Sequence, residues 1–130
     1  MARGETVIVA GLGWRSGVDG DEIVALVRAA VRAAGVMPAG LAVLEAKAGE
    51  PGVIVAAARL DLPLIPVGFA DLAAAQSRCV TRSARAVATI GVASVAEGCA
   101  LAAAGNSAVL LAPRLTGRHA TCAIAGEGRR

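Results

Sequence analysis

The stretch Gly11-Leu12-Gly13-Trp14-Arg15 stands between an apolar β-branched run, Thr6-Val7-Ile8-Val9-Ala10, and a strongly amphipathic segment that begins near Asp21. A strand that ends in glycines and then feeds a helix is how open α/β proteins build a ligand site at the carboxyl end of a sheet. Glycine carries no Cβ, so the backbone there can turn tightly and approach a ligand closely. Arg15, directly after the glycines, adds a fixed cation whose planar fork of donors suits carboxylate or phosphate. The alternative is a tight turn with Arg15 merely solvated.

As a dinucleotide fingerprint the stretch fails in detail. Ser16 stands where a third Gly or Ala is required, and Gly17 arrives one residue late. An acidic ribose ligand is expected about twenty residues on, but the chain there reads Ala33-Ala34-Gly35-Val36. The Gly-Lys-Ser/Thr ending of a phosphate-binding loop is absent, and no nucleotide cofactor is expected.

The 130 residues suffice for one domain with a real core. They are 56% hydrophobic but only 2% aromatic, so that core must be closely packed Ala, Val, Leu and Ile. Stacking platforms for single-stranded nucleic acid need more aromatics than this. The net charge of +3 comes without a Lys/Arg block, which also argues against DNA and leaves room for an acidic small molecule. The three cysteines, Cys79, Cys99 and Cys122, form no CxxC pair, and His119 is the single histidine, so no metal site is expected. Free buried thiols fit a reducing cytoplasm. The N-terminus lacks a signal-peptide pattern, and the most apolar region, Ala86 to Pro113, is too interrupted to span a membrane.

Along the chain, Ile23, Leu26, Val27, Ala30, Val31 and Ala34 recur at helical spacing, with Arg28 and Arg32 opposite. Asp19 followed by Glu22 resembles a capping box, and Gly35 is the stop. A strand is expected over Leu41 to Leu44, then a polar connection to Pro51. Val53-Ile54-Val55 has strand propensity, yet Val53, Ala56, Ala57 and Leu60 sit at helical spacing after a proline; a helix is expected. Leu64 to Val67 reads as a strand, Asp71 to Ala75 as a brief helix, and Val92 to Ala104 as a second long helix. Strands over Ala108 to Leu111 and Ala120 to Ala125 close the chain. The alternation predicts a single three-layer α/β/α domain on a mostly parallel or mixed sheet.

Lys47 and Glu50 follow a strand, in a connection such a sheet places on its ligand side: a cation and an acid/base group, or an ordinary solvated turn. Glu97 is the only charge between Arg85 and Arg114, within an alanine-rich helix. It is either exposed on the outer face or paired near a site. Arg78, Arg82 and Arg85, with Ser77, Thr81 and Ser83, form a segment that holds carboxylates or is simply solvated. No Gly-x-Ser-x-Gly and no paired acids are present, so the familiar catalytic machineries are missing.

Taken in order, these pieces resemble the CobE/CbiG C-terminal domain family of cobalamin biosynthesis, from about Val7 to Ala125. The matching residues are Gly11-Leu12-Gly13-x-Arg15, Lys47-x-x-Glu50-x-Gly52, Leu62-Pro63-Leu64, Ser83, and Gly91-Val92-x-x-Val95-Ala96-Glu97. The alanine-rich helix to Gly105, Leu110-Leu111-x-Pro113-Arg114, and Ala120-Thr121-x-Ala123-Ile124-Ala125 complete the set. Trp14 departs from the small residue, such as cysteine, usual at its position; it either stacks on a flat ring or packs at the cleft mouth, and it removes any thiol role there. Arg114 stands where lysine is common.

The resemblance implies a compact α/β/α fold and a corrin or precorrin intermediate, a macrocycle bearing many acetate and propionate carboxylates, as partner. It gives Arg15, Lys47 and the Arg78 to Arg85 segment a chemical purpose. The implied substrate-binding set is Gly11, Gly13, Trp14, Arg15, Lys47, Glu50, Ser83, Arg85 and Glu97. The longer CbiG-type proteins carry an N-terminal part and open a lactone on the ring. Without that part, the chain resembles the stand-alone CobE type. Two roles follow: a carrier that passes the intermediate to other cobalamin-pathway enzymes, or a hydrolase or rearrangement catalyst using Glu50 or Glu97 as acid/base.

Overall fold

Among residues 7–78 and 95–127, which the computed structural model describes, five strands form one sheet in the order β3-β2-β1-β5-β4. These are β1 (Val9–Trp14), β2 (Leu41–Leu44), β3 (Leu64–Val67), β4 (Ala108–Thr116) and β5 (Ala120–Glu127). The first three are mutually parallel, whereas β5 runs antiparallel to both β1 and β4, so the sheet is mixed. Helices α1 (Gly20–Ala34) and α2 (Pro51–Leu60) cover one face; α3 (Phe69–Ala74) and α4 (Val95–Ala104) cover the other. The expected three-layer α/β/α architecture is the observed one.

Side-chain alternation on the strands divides the core into two. Ala10, Leu12, Leu41, Val43, Cys122 and Ile124 pack under α1 and α2 with Ile23, Val27, Val53 and Ala56. Val9, Ala42, Leu44 and Ala125 meet Leu72, Cys99, Ala100 and Leu101 on the opposite face.

Local chemistry explains each helix. Asp19 caps α1 by accepting the Asp21 N–H, while Gly35 at φ 73° ends the helix by donating to the Val31 carbonyl. Glu22 does not complete the expected capping box; its carboxylate turns away to residue 119. Pro51 opens α2, which buries Val53, Ala56 and Ala57 and leaves Ile54 and Val55 about half exposed. That 3.6-residue periodicity settles the Val53–Val55 ambiguity in favour of helix. Residues 92–94 of the second long helix lie outside the described residues, and α4 is seen from Val95.

Two strand expectations are corrected. The first strand does not end at Ala10 before a glycine turn: Gly11 and Gly13 lie inside β1, paired to Ala123 and Thr121 of β5. The turn starts only at Arg15, with Gly17 at φ 80°. The cause is α4, which lies against both glycines. A Cβ on Gly11 would fall 2.1 Å from the Ala96 carbonyl oxygen and 2.6 Å from the Ala100 nitrogen. The fourth strand is also longer than Ala108 to Leu111. It continues through Pro113 to Thr116 with two register irregularities, and it is the outermost strand on its side among the described residues, a position that tolerates proline.

Candidate functional site

Because β1, β2 and β3 are parallel, the connections that follow them meet at one edge of the sheet. The antiparallel β5 begins at that edge, Ala120 being paired with Trp14, so the hairpin of residues 117–119 joins it. This carboxyl edge therefore gathers Trp14, Arg15, Gly17, Lys47, Glu50 and His119 from three separate stretches of chain.

Lys47 ends a short 3-10 turn (Glu45–Lys47) after β2. Its ammonium donates to the Trp14 carbonyl at 2.8 Å and lies 5.3 Å from the centroid of the Trp14 ring. The Trp14 ring itself packs against the α1-side core, and its Nε1–H is buried with no partner among the described residues. Glu50 accepts the Gly17 N–H at 3.1 Å, tying the connection after β2 to the one after β1. Its carboxylate is used to hold the loop.

Arg15 is exposed, and its backbone N–H donates to the His119 carbonyl at 2.9 Å. Among the described residues there are two ion pairs, Arg59 with Asp21 and His119 with Glu22. Arg15, Lys47 and Arg118 thus have no carboxylate partner within that set. Partial burial pulls the Glu22 carboxyl upward, but the His119 N–H, the His119 ring and the Ala120 amide outweigh it and hold the group below its ordinary value.

The remaining expected residues are placed elsewhere. Gly11 and Gly13 face α4 and are filled by it. Glu97 is fully buried in the first turn of α4, on the opposite layer from Trp14, and accepts the Arg114 backbone N–H at 3.4 Å. Its exposed-face alternative is ruled out. Arg78 does not point to the carboxyl edge: its guanidinium donates to the carbonyls of Gly105, Asn106 and Ala108, closing the C-terminal end of α4. Ser83, Arg82 and Arg85, with Thr81 and Cys79, lie outside the described residues. Cys99 and Cys122 are buried and in no disulfide among the described residues, as expected of core thiols, and burial pushes Cys122 up to about 12. No helix among the described residues is long and apolar enough to cross a membrane.

Sequence reasoning missed the Glu22–His119 pair. The two residues are 97 positions apart, and the local signal at Glu22, an acid three places after a cap, pointed to the helix start.

A family described as "Cobalamin synthesis G C-terminus" matches residues 8–125. The chain belongs to this family. Among its relatives, "Protein CobE" of Sinorhizobium sp is 38% identical over 122 residues, which are 92% of this chain and 79% of that protein. A crystal structure of CobE, described as a protein from the cobalamin (vitamin B12) biosynthetic pathway, superposes with a TM-score of 0.85 at 30% identity, covering 93% of this chain and 90% of the other. The cobalamin biosynthesis protein chiG of Agrobacterium tumefaciens str. C58 gives 0.75 at 40% identity, covering 95% of this chain and all of that one. The resemblance of the sequence motifs is thereby confirmed, and the chain is a cobalamin biosynthesis protein of the CobE/CbiG C-terminal type.

Proposed function

We propose that the chain binds a carboxylate-rich precorrin or corrin intermediate at the carboxyl edge and serves as a carrier or accessory module for other enzymes of the pathway. The observation that carries this reading is Lys47. A half-buried ammonium with no carboxylate partner among the described residues is costly unless something compensates it, and here only a carbonyl and a ring face do so. Two of its three N–H groups remain for a ligand acid. Arg15 offers a second cation on the adjoining loop, and the acidic arms of a corrinoid match both. Binding is favoured over catalysis because Glu50 is engaged with Gly17, and Glu97 is buried on the far layer against the Arg114 backbone.

Trp14 is the chain's single tryptophan, so its emission reports on Lys47 directly. Titration with cobyrinic acid, whose acetate and propionate arms are free acids, is expected to quench it, with affinity falling as salt rises. The same ring with amidated arms is expected not to bind. Absence of both quenching and co-elution rejects the reading. Glu97→Gln is expected to leave affinity near that of the native chain; conversion of the bound ring by the native chain that this variant abolishes would instead make the protein an enzyme.

A further inference from the structure

We propose that Glu22 is a positioning residue: it clasps the β4–β5 hairpin to α1 and, through His119, fixes the backbone that presents Arg15. The inference rests on the reading that Arg15 belongs to the binding edge, but the clasp itself is a matter of geometry. Glu22 Oε2 accepts the His119 backbone N–H at 2.5 Å, and Oε1 lies 3.2 Å from the His119 ring Nδ1. The His119 carbonyl in turn accepts the Arg15 N–H at 2.9 Å, and the Arg15 carbonyl accepts the Val18 N–H at 3.2 Å. One carboxylate thus grips the hairpin at two points, and the hairpin grips Arg15.

The clasp is built on a rigid base. Glu22 is followed by the buried Ile23 and stands one turn before the buried Leu26, so its Cα is fixed by the core. It is not needed as a cap, since Asp19 already serves the first turn of α1. The hairpin is shaped to admit it: a Cβ on Gly117 would come within 2.9 Å of Glu22 Oε2. His119, whose ring Nδ1 lies 3.2 Å from Oε1, is the titratable group that faces Glu22. Of the neighbouring charges, Asp19 accepts from the Asp21 amide, Asp21 pairs with Arg59, and Arg118 on the hairpin has no ion pair among the described residues. A charge-assisted acceptor of this kind weakens when protonated. The hold on Arg15 should therefore relax in acid.

Amide hydrogen exchange of the full chain, followed by NMR, tests this without any ligand. In Glu22→Ala the Arg15 amide is expected to lose roughly tenfold or more of its protection. The Leu41 amide, bonded to the Pro63 carbonyl in the far half of the sheet, should keep its own. Glu22→Gln, which retains a neutral acceptor, is expected to restore part of the Arg15 protection and to abolish its decline in acid. Unchanged Arg15 protection in Glu22→Ala, or an equal loss at Leu41, overturns the proposal. Cobyrinic acid titration of the same variant separates it from the functional reading. Loosened Arg15 with unaltered binding leaves the clasp intact and removes Arg15 from the site; weakened binding supports both.

Discussion

The glycine-lined face of β1 and the carboxyl edge at its end share one six-residue strand, yet they are built on opposite principles. On the face, the absence of side chains is the construction. Gly11 and Gly13 let the backbone of α4 come to within van der Waals contact of the sheet, a layer thinner than side chains would permit. At the edge the reverse holds: Trp14, Arg15 and Lys47 carry large or charged side chains, and hydrogen bonds from the Lys47 ammonium and the Arg15 backbone tie the loops together. The face sets where the edge stands, and the edge is free to vary its chemistry at little cost to the fold.

That contrast is most easily broken at Gly11. Its added Cβ in Gly11→Ala meets two backbone atoms of α4, which cannot rotate away, so a loss of about 3 kcal/mol is expected in urea unfolding. Gly13→Ala should cost clearly less. Its first neighbour is the Thr121 hydroxyl at 3.0 Å, which can rotate, and its second the Val95 Cβ at 3.4 Å, close to ordinary contact distance. Equal costs at the two positions would mean that α4 is not held against the strand as described.

The edge should respond in the opposite way. Lys47→Ala and Arg15→Ala are each expected to weaken cobyrinic acid binding by about 1.5–3 kcal/mol, the worth of a charge-assisted hydrogen bond. Their melting temperatures should stay near that of the native chain, because both side chains are at least partly solvated and surface charges add little to stability. A sharp fall in melting temperature with unchanged affinity would make them structural, like the glycines.

The smallest effect is that of acid on the clasp. The Glu22 carboxyl lies below its ordinary value of 4.5 in the folded chain, so the unfolded chain takes up the proton first as pH falls. The stability contributed by Glu22 is complete above that ordinary value and is lost as pH drops through the folded one. Melting curves of the native chain and Glu22→Gln, compared above and below pH 4.5, should differ above it and converge below. Curves separated by the same interval at every pH would show that the charge contributes nothing.

The sequence by itself determined the elements and their layers. The i, i+3, i+4 recurrence from Ile23 to Ala34, Pro51 before a helical pattern, and the short apolar runs at Leu41 and Leu64 are local signals, and each became the expected element. The family motifs were legible for the same reason, being fixed residues at fixed spacing. What the tertiary structure decided was the use of each residue. Gly11 and Gly13 read as a turn at the end of a strand, and only the position of α4, more than eighty residues later, made them a packing surface. Arg78 reads as a site cation or a solvated one until the carbonyls of Gly105 and Ala108, in the stretch that follows α4, are found around it. Glu22 reads as a helix cap until the hairpin arrives, and Glu97 reads as an even choice between solvent and interior until its layer is known. Periodicity and capping are interactions between near neighbours in the chain. The partner of a charge, or the atom that fills the space over a glycine, is set by segments that only the assembled sheet brings together.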